Sequence, residues 1–110
     1  MSAVLVTPPR TAETVTFDSV LANVLREAGW IMMGGSAQFR HGALSELQAN
    51  LRLLPDLGVC PDVLHLARFL GEKAAALAGR NVNDVAAIMA LQRTLAEFEQ
   101  TMKACAAGRH

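Results

Sequence analysis

Residues 88–105, Ile-Met-Ala-Leu-Gln-Arg-Thr-Leu-Ala-Glu-Phe-Glu-Gln-Thr-Met-Lys-Ala-Cys, decide the fold of this chain. Within them Ile88, Leu91, Leu95, Phe98, Met102 and Cys105 recur in steps of three and four, as successive a and d positions of heptads do. A helix with such a seam must bury it against another helix. Gln92, Thr94, Glu99 and Thr101, on the flanks of the seam, supply little charge pairing. The seam therefore reads either as the core side of a bundle helix or as a homodimer interface, with Cys105 able to meet its twin across a two-fold axis.

Working back from this helix, which is expected from a cap at Asn83 to about Ala107, three more helices emerge. Gly79 and Asn81 offer a left-handed stop to a third helix that starts at Pro61, where a missing amide would be unpaired anyway. Val63, Leu66, Leu70, Ala74 and Leu77 make its apolar face. A second helix follows the Gly34-Gly35-Ser36 turn, buries Leu44, Leu47, Leu51 and Leu54, and stops at Pro55. The first starts at Thr16 or Asp18 and reaches Met33, with Phe17, Val20, Leu21, Val24, Leu25, Ala28, Ile31 and Met32 on one face.

Residues 1–15 hold Thr7-Pro8-Pro9, which breaks any helix, and read as an extended arm, flexible or docked on a partner. The expected architecture is all-α: a small four-helix bundle over 16–107, an N-terminal arm over 1–15 and a tail over 108–110.

Composition narrows the function classes. The chain has 110 residues, 52% of them hydrophobic and 18% charged, enough for one packed core and unlike a disordered chain. Ten basic residues balance ten acidic ones, so no basic field collects phosphates, and direct nucleic-acid binding is disfavoured. Asn83, Asp84, Val85, Ala86, Ala87, Ile88 and Met89, the start of the fourth helix, are a poor set for reading base edges. Uncharged Ala28–Phe39 is interrupted by Gly29, Gly34 and Gly35 and is shorter than a membrane span, and the first ten residues lack the pattern of a secretory signal. The expected setting is the cytoplasm.

Chemistry-bearing groups are sparse. His41, His65, His110, Cys60 and Cys105 lack metal-ligand spacing, and two cysteines are too few for a disulfide framework. Cys60, just before Pro61, reads as a small gap-filler, or as a reactive thiol where the first amides of the third helix stabilise its anion. Glu46 with Asn50, Arg68 with Glu72, Arg93 with Glu97 and Glu99 with Lys103 read as ordinary surface pairs. No catalytic residue, metal or cofactor is expected.

Protein recognition is the better-supported reading. Trp30 falls off the core stripe of the first helix, near Arg26 and Asn23, and Trp and Arg are enriched in interface hot spots. Met33, also off the stripe, would join a deformable binding surface with Trp30; the competing reading ends the helix at Gly29 and folds Trp30 over the core.

In size and amphipathic pattern the chain resembles small bacterial helical proteins that sequester a partner, among them antiactivators, anti-sigma factors and secretion chaperones. His65-Leu66-Ala67-Arg68 and Lys103-Ala104-Cys105 resemble the dimerisation-helix region of MerR-type regulators, without that family's winged DNA-binding pattern ahead of them. The expected function is a noncatalytic regulator or adaptor that binds and sequesters another protein, such as a transcription regulator whose assembly it blocks. Trp30, Met33, Arg26 and Asn23 are the expected partner surface. A helical DNA-binding or ligand-sensing regulator, or a secretion chaperone, is the alternative.

Overall fold

The structure, a computed structural model, describes residues 16–79 and 84–108. Among these, four helices account for nearly all of the chain and no strand occurs: α1 (Phe17–Met33), α2 (Ala37–Leu51), α3 (Pro61–Ala78) and α4 (Val85–Gly108), with a single 3-10 turn at Pro55–Leu57 between α2 and α3. The expected arm and the last two residues lie outside the described residues. Gly108, assigned to the tail from sequence, closes α4.

Three of the four helices begin where the sequence supplies a side-chain partner for free amides, and α3 begins at a proline. Thr16 opens α1 with a reciprocal capping box: the Ser19 N–H donates to Thr16 Oγ1 at 3.1 Å and the Thr16 N–H to Ser19 Oγ at 2.9 Å. Ser36 Oγ accepts from the Phe39 N–H at 3.0 Å and opens α2. Pro61 occupies the first turn of α3. The cap of α4 is Asp84, whose Oδ1 accepts from the Ala87 N–H at 3.1 Å; Asn83, the expected cap, lies outside the described residues. The expected left-handed stop of α3 is absent at Gly79, whose φ is −88°.

The pairing of side chains fixes direction. Along α1 and α2 the numbers run oppositely, Asn23 meeting Asn50 and Trp30 meeting Phe39, so the two helices form an antiparallel hairpin. Cys60, at the start of α3, is joined to Cys105, near the end of α4, so these helices form a second one. The two hairpins pack through α2 against α3 and α1 against α4, with α1 also touching α3. Val20, Val24, Ile31, Leu47, Leu54, Val63, Leu70, Leu77, Leu91, Phe98 and Met102 fill the space between them. Each full burial of such a side chain contributes about 1.5–3 kcal/mol, which is what the apolar stripes supply to offset chain entropy.

This packing places the heptad seam of α4 against helices of its own chain. Leu91, Phe98 and Met102 are fully buried inside one chain, Cys105 is buried too, and Ile88 and Leu95 are half-buried against the same core. The seam is used by α1 and α3, whose own stripes complete it, and no continuous face of it remains for a second copy.

The cysteines also differ from expectation. Cys60 and Cys105 form a disulfide with Cα atoms 5.9 Å apart, and the Cys60 N–H donates to Cys105 Sγ at 3.0 Å. Spacing gave no sign of this pairing because the two positions are 45 residues apart and meet only when α3 and α4 fold back together. Cys60 is thus neither a free helix-terminal thiol nor an unbonded filler, and Cys105 has its partner within the chain. Persistent disulfides belong chiefly to oxidising compartments, a setting that nothing in the sequence required. Among the described residues no helix is long and apolar enough to cross a membrane.

Candidate functional site

The site is built on the outer side of the α1–α2 hairpin. Helix α1 continues through Gly29 to Met33, so Asn23, Arg26, Trp30 and Met33 share one strip, as their spacing of three and four residues requires. The chain then reverses through Gly34 and Gly35, at φ of 93° and 95°, a region in which residues with a Cβ are strained. Arg40, from the first turn of α2, donates from Nη1 to the Gly35 carbonyl at 2.7 Å and ties the turn to the helix. Ser36, as cap, sets the start of α2 and with it Phe39. The result is an edge-to-face pair of Trp30 and Phe39, centroids 6.0 Å apart.

Three of the four expected partner-binding residues are tied into this arrangement. The Arg26 guanidinium carbon stands 5.2 Å from the centroid of the Trp30 ring. The Asn23 amide donates to Asn50 Oδ1 at 3.3 Å. Trp30 is half-buried: its ring leans on the edge of the core and keeps the rest of its surface on the outside. Met33 is 83% exposed, the largest exposure among the described large apolar side chains, and Phe39 is 49% exposed.

Beneath this strip lies a polar network that sequence reasoning missed. Glu27 is 1% exposed; the Asn50 amide donates to its two carboxylate oxygens at 3.1 and 3.2 Å and to the Glu46 backbone carbonyl at 3.0 Å. Arg26 lies 3.8 Å from Glu27 on its solvent side. Burial pushes the Glu27 carboxyl above its ordinary range and the neighbouring Glu46 carboxyl adds to the rise, while Arg26 and the Asn50 amide oppose it. Glu46, read from sequence as one member of a surface pair with Asn50, presents only its backbone carbonyl to that amide; its side chain lines a cavity of about 230 Å³ with Trp30, Phe39, Gly42 and Ala43.

The signal that could have found Glu27 is periodicity. It stands three residues after Val24 and four before Ile31, squarely on the buried stripe, where a carboxylate needs a partner. Phe39 carried no such signal, since it sits in the first turn of α2 off the Leu47–Leu54 line.

Other surfaces are plainer. A cavity of about 390 Å³ between α2 and α3 is lined by Leu51, Arg52, Pro55, Leu64, Ala67 and Arg68. On α3, His65 and Phe69 pack edge to face with centroids 4.9 Å apart. At the start of α4, Val85 and Met89 are 64% and 53% exposed. Of the expected surface ion pairs, Lys103 Nζ meets Glu99 Oε2 at 2.9 Å. Among the described residues no group of three or more His, Cys, Asp or Glu side chains is placed to hold a metal ion.

Fold and site together define the class: a four-helix bundle that presents an aromatic strip with a carboxylate-lined cavity on one hairpin. Comparison with protein-family models, with curated proteins and with solved structures finds no match for the chain.

Proposed function

We propose that this protein is a noncatalytic regulator or adaptor that binds and sequesters another protein through the Arg26–Trp30–Met33–Phe39 surface of the α1–α2 hairpin. The observation that carries the reading is the Trp30–Phe39 pair, half in the core and half outside, extended by a Met33 that touches water over most of its area. An aromatic pair so placed, with Arg26 at the Trp30 ring and Asn23 on the same strip, has the composition of an interface hot spot.

An antiactivator is one concrete version: the bundle covers the oligomerisation surface of a transcription regulator and removes the active form by mass action. A different protein is favoured over a second copy, because the heptad seam is already used inside the chain.

The test pairs binding with folding. Trp30→Ala is expected to weaken capture of the partner at least about tenfold, the loss of a hot-spot residue, while far-UV circular dichroism keeps its helical signal. Loss of helix together with binding would instead make Trp30 a core residue, and unchanged capture would remove the surface from the account.

A further inference from the structure

We propose that the cavity lined by Trp30, Phe39 and Glu46 receives one cationic side chain, arginine or lysine, projecting from the partner protein, with Glu46 as its counter-charge. The inference rests on the protein-binding reading above and specifies the chemistry of the partner's anchor.

Three observations converge on it. The cavity is open to solvent, and beside the Trp30 and Phe39 rings it is lined by Gly42 and Ala43, the smallest residues available. Gly42 is exposed and a Cβ added there meets nothing within 4 Å, so a side chain has open space at this edge of the cavity. An unbranched stem such as that of lysine or arginine suits a slot of this kind, its methylenes lying on the rings and its head at the mouth.

The second observation is charge. Among the described residues the ion pairs are Arg26 with Glu27 and Lys103 with Glu99, which leaves Glu46 on the cavity wall without a cation. Its carboxyl meets that of Glu27, so two acids converge on a place served by one half-exposed guanidinium. A cation arriving at Glu46 relieves that like-charge contact, where an apolar or acidic anchor would not. The third is that Trp30 already accepts a guanidinium on its ring, from Arg26, in the geometry a second cation would use on the cavity side.

The chain contains a single tryptophan, so Trp30 emission reports on the cavity without a label. Titration of the full chain with N-acetylarginine amide or N-acetyllysine amide is expected to give a saturable change in the millimolar range. N-acetylcitrulline amide, of the same shape as the arginine probe but uncharged, is expected to bind about fivefold or more weakly, and Glu46→Gln to weaken the arginine probe by about the same factor. Gly42→Leu fills the cavity with a better helix former, so it is expected to abolish the response while helicity is kept or increased.

Equal responses to arginine and citrulline, a Glu46→Gln protein that binds like the parent, or no saturable change would each overturn the proposal. The probes need no partner protein, so these outcomes are separate from the Trp30→Ala capture experiment. Capture lost in Trp30→Ala with no arginine preference would leave the docking surface standing and remove only its cationic anchor.

Discussion

Glu27 shows most clearly how a single side chain acquires its properties from residues distant in sequence. Its carboxylate sits on the core stripe of α1, yet the amide that satisfies it, Asn50, and the carboxyl that opposes its charge, Glu46, both come from α2. A carboxyl whose proton affinity rises on folding is most stabilising when protonated. Stability is therefore expected to be highest below the ordinary carboxyl value of 4.5 and to fall as pH rises from there through the raised folded value of Glu27. Glu27→Gln keeps the shape and removes that decline. Urea denaturation at a series of pH values checks it, and a parent protein that gains stability over that window while the variant does not would reverse the sign.

At the same scale, Asn23, Arg26, Trp30 and Met33 were legible because a helix running through Gly29 must put them on one strip, whatever lies opposite. Phe39, Glu46 and Asn50 were not legible as parts of that site. Their roles depend on the register of α2 against α1, and that register is set by the Gly34-Gly35 turn rather than by any periodicity.

Among the elements, the α1–α2 turn and the α3–α4 disulfide are the two devices that fix how helices meet. Gly35 lies at positive φ, and a Cβ there would stand 3.5 Å from Phe39 Cδ2, an ordinary contact. The cost of Gly35→Ala is thus conformational, about 1–2 kcal/mol, and is expected as a lowered thermal midpoint with the Trp30 environment disturbed. An unchanged midpoint would mean that the turn relaxes freely.

The disulfide closes a span of 45 residues, for which loop-closure entropy gives about 4 kcal/mol as a chain-entropy figure. Paired Cys60→Ser and Cys105→Ser substitutions are expected to lower stability by about 2–4 kcal/mol in denaturant titrations, with the four helices still formed. Parent and variant curves that coincide without reductant would show the link to be dispensable. Three of the helix starts were legible almost to the residue, because Thr16, Ser36 and Pro61 mark them chemically, whereas α2 ends at Leu51, short of the stop expected at Pro55. The disulfide was not, since nothing local distinguishes a paired cysteine from a buried thiol.

For the whole molecule, the heptad pattern of α4 established that the helix packs on another helix and left open whose helix that is. The burial of Leu91, Phe98 and Met102 answers the question within one chain. Phe98→Ala is accordingly expected to cost about 3–5 kcal/mol of folding stability, a cavity in the core. A variant that kept its stability but lost self-association in sedimentation equilibrium would return the seam to a dimer.

With the seam enclosed, the large exposed apolar side chains among the described residues fall at three places: Met33 and Phe39 beside Trp30 on the hairpin, Leu64 and Phe69 on α3, and Val85 and Met89 at the start of α4. The neutral charge balance of ten against ten leaves shape and local charge, rather than a long-range field, to select a partner. The central claim is that the first of these surfaces does the selecting. It is tested most directly by quantitative affinity capture with two surface doubles, Met33→Ser with Phe39→Ala on the hairpin and Val85→Ser with Met89→Ser on α4. The partner bound by the parent chain is expected to be lost from the hairpin double and retained by the α4 double, both remaining folded; retention by the first and loss from the second would move the docking surface to α4.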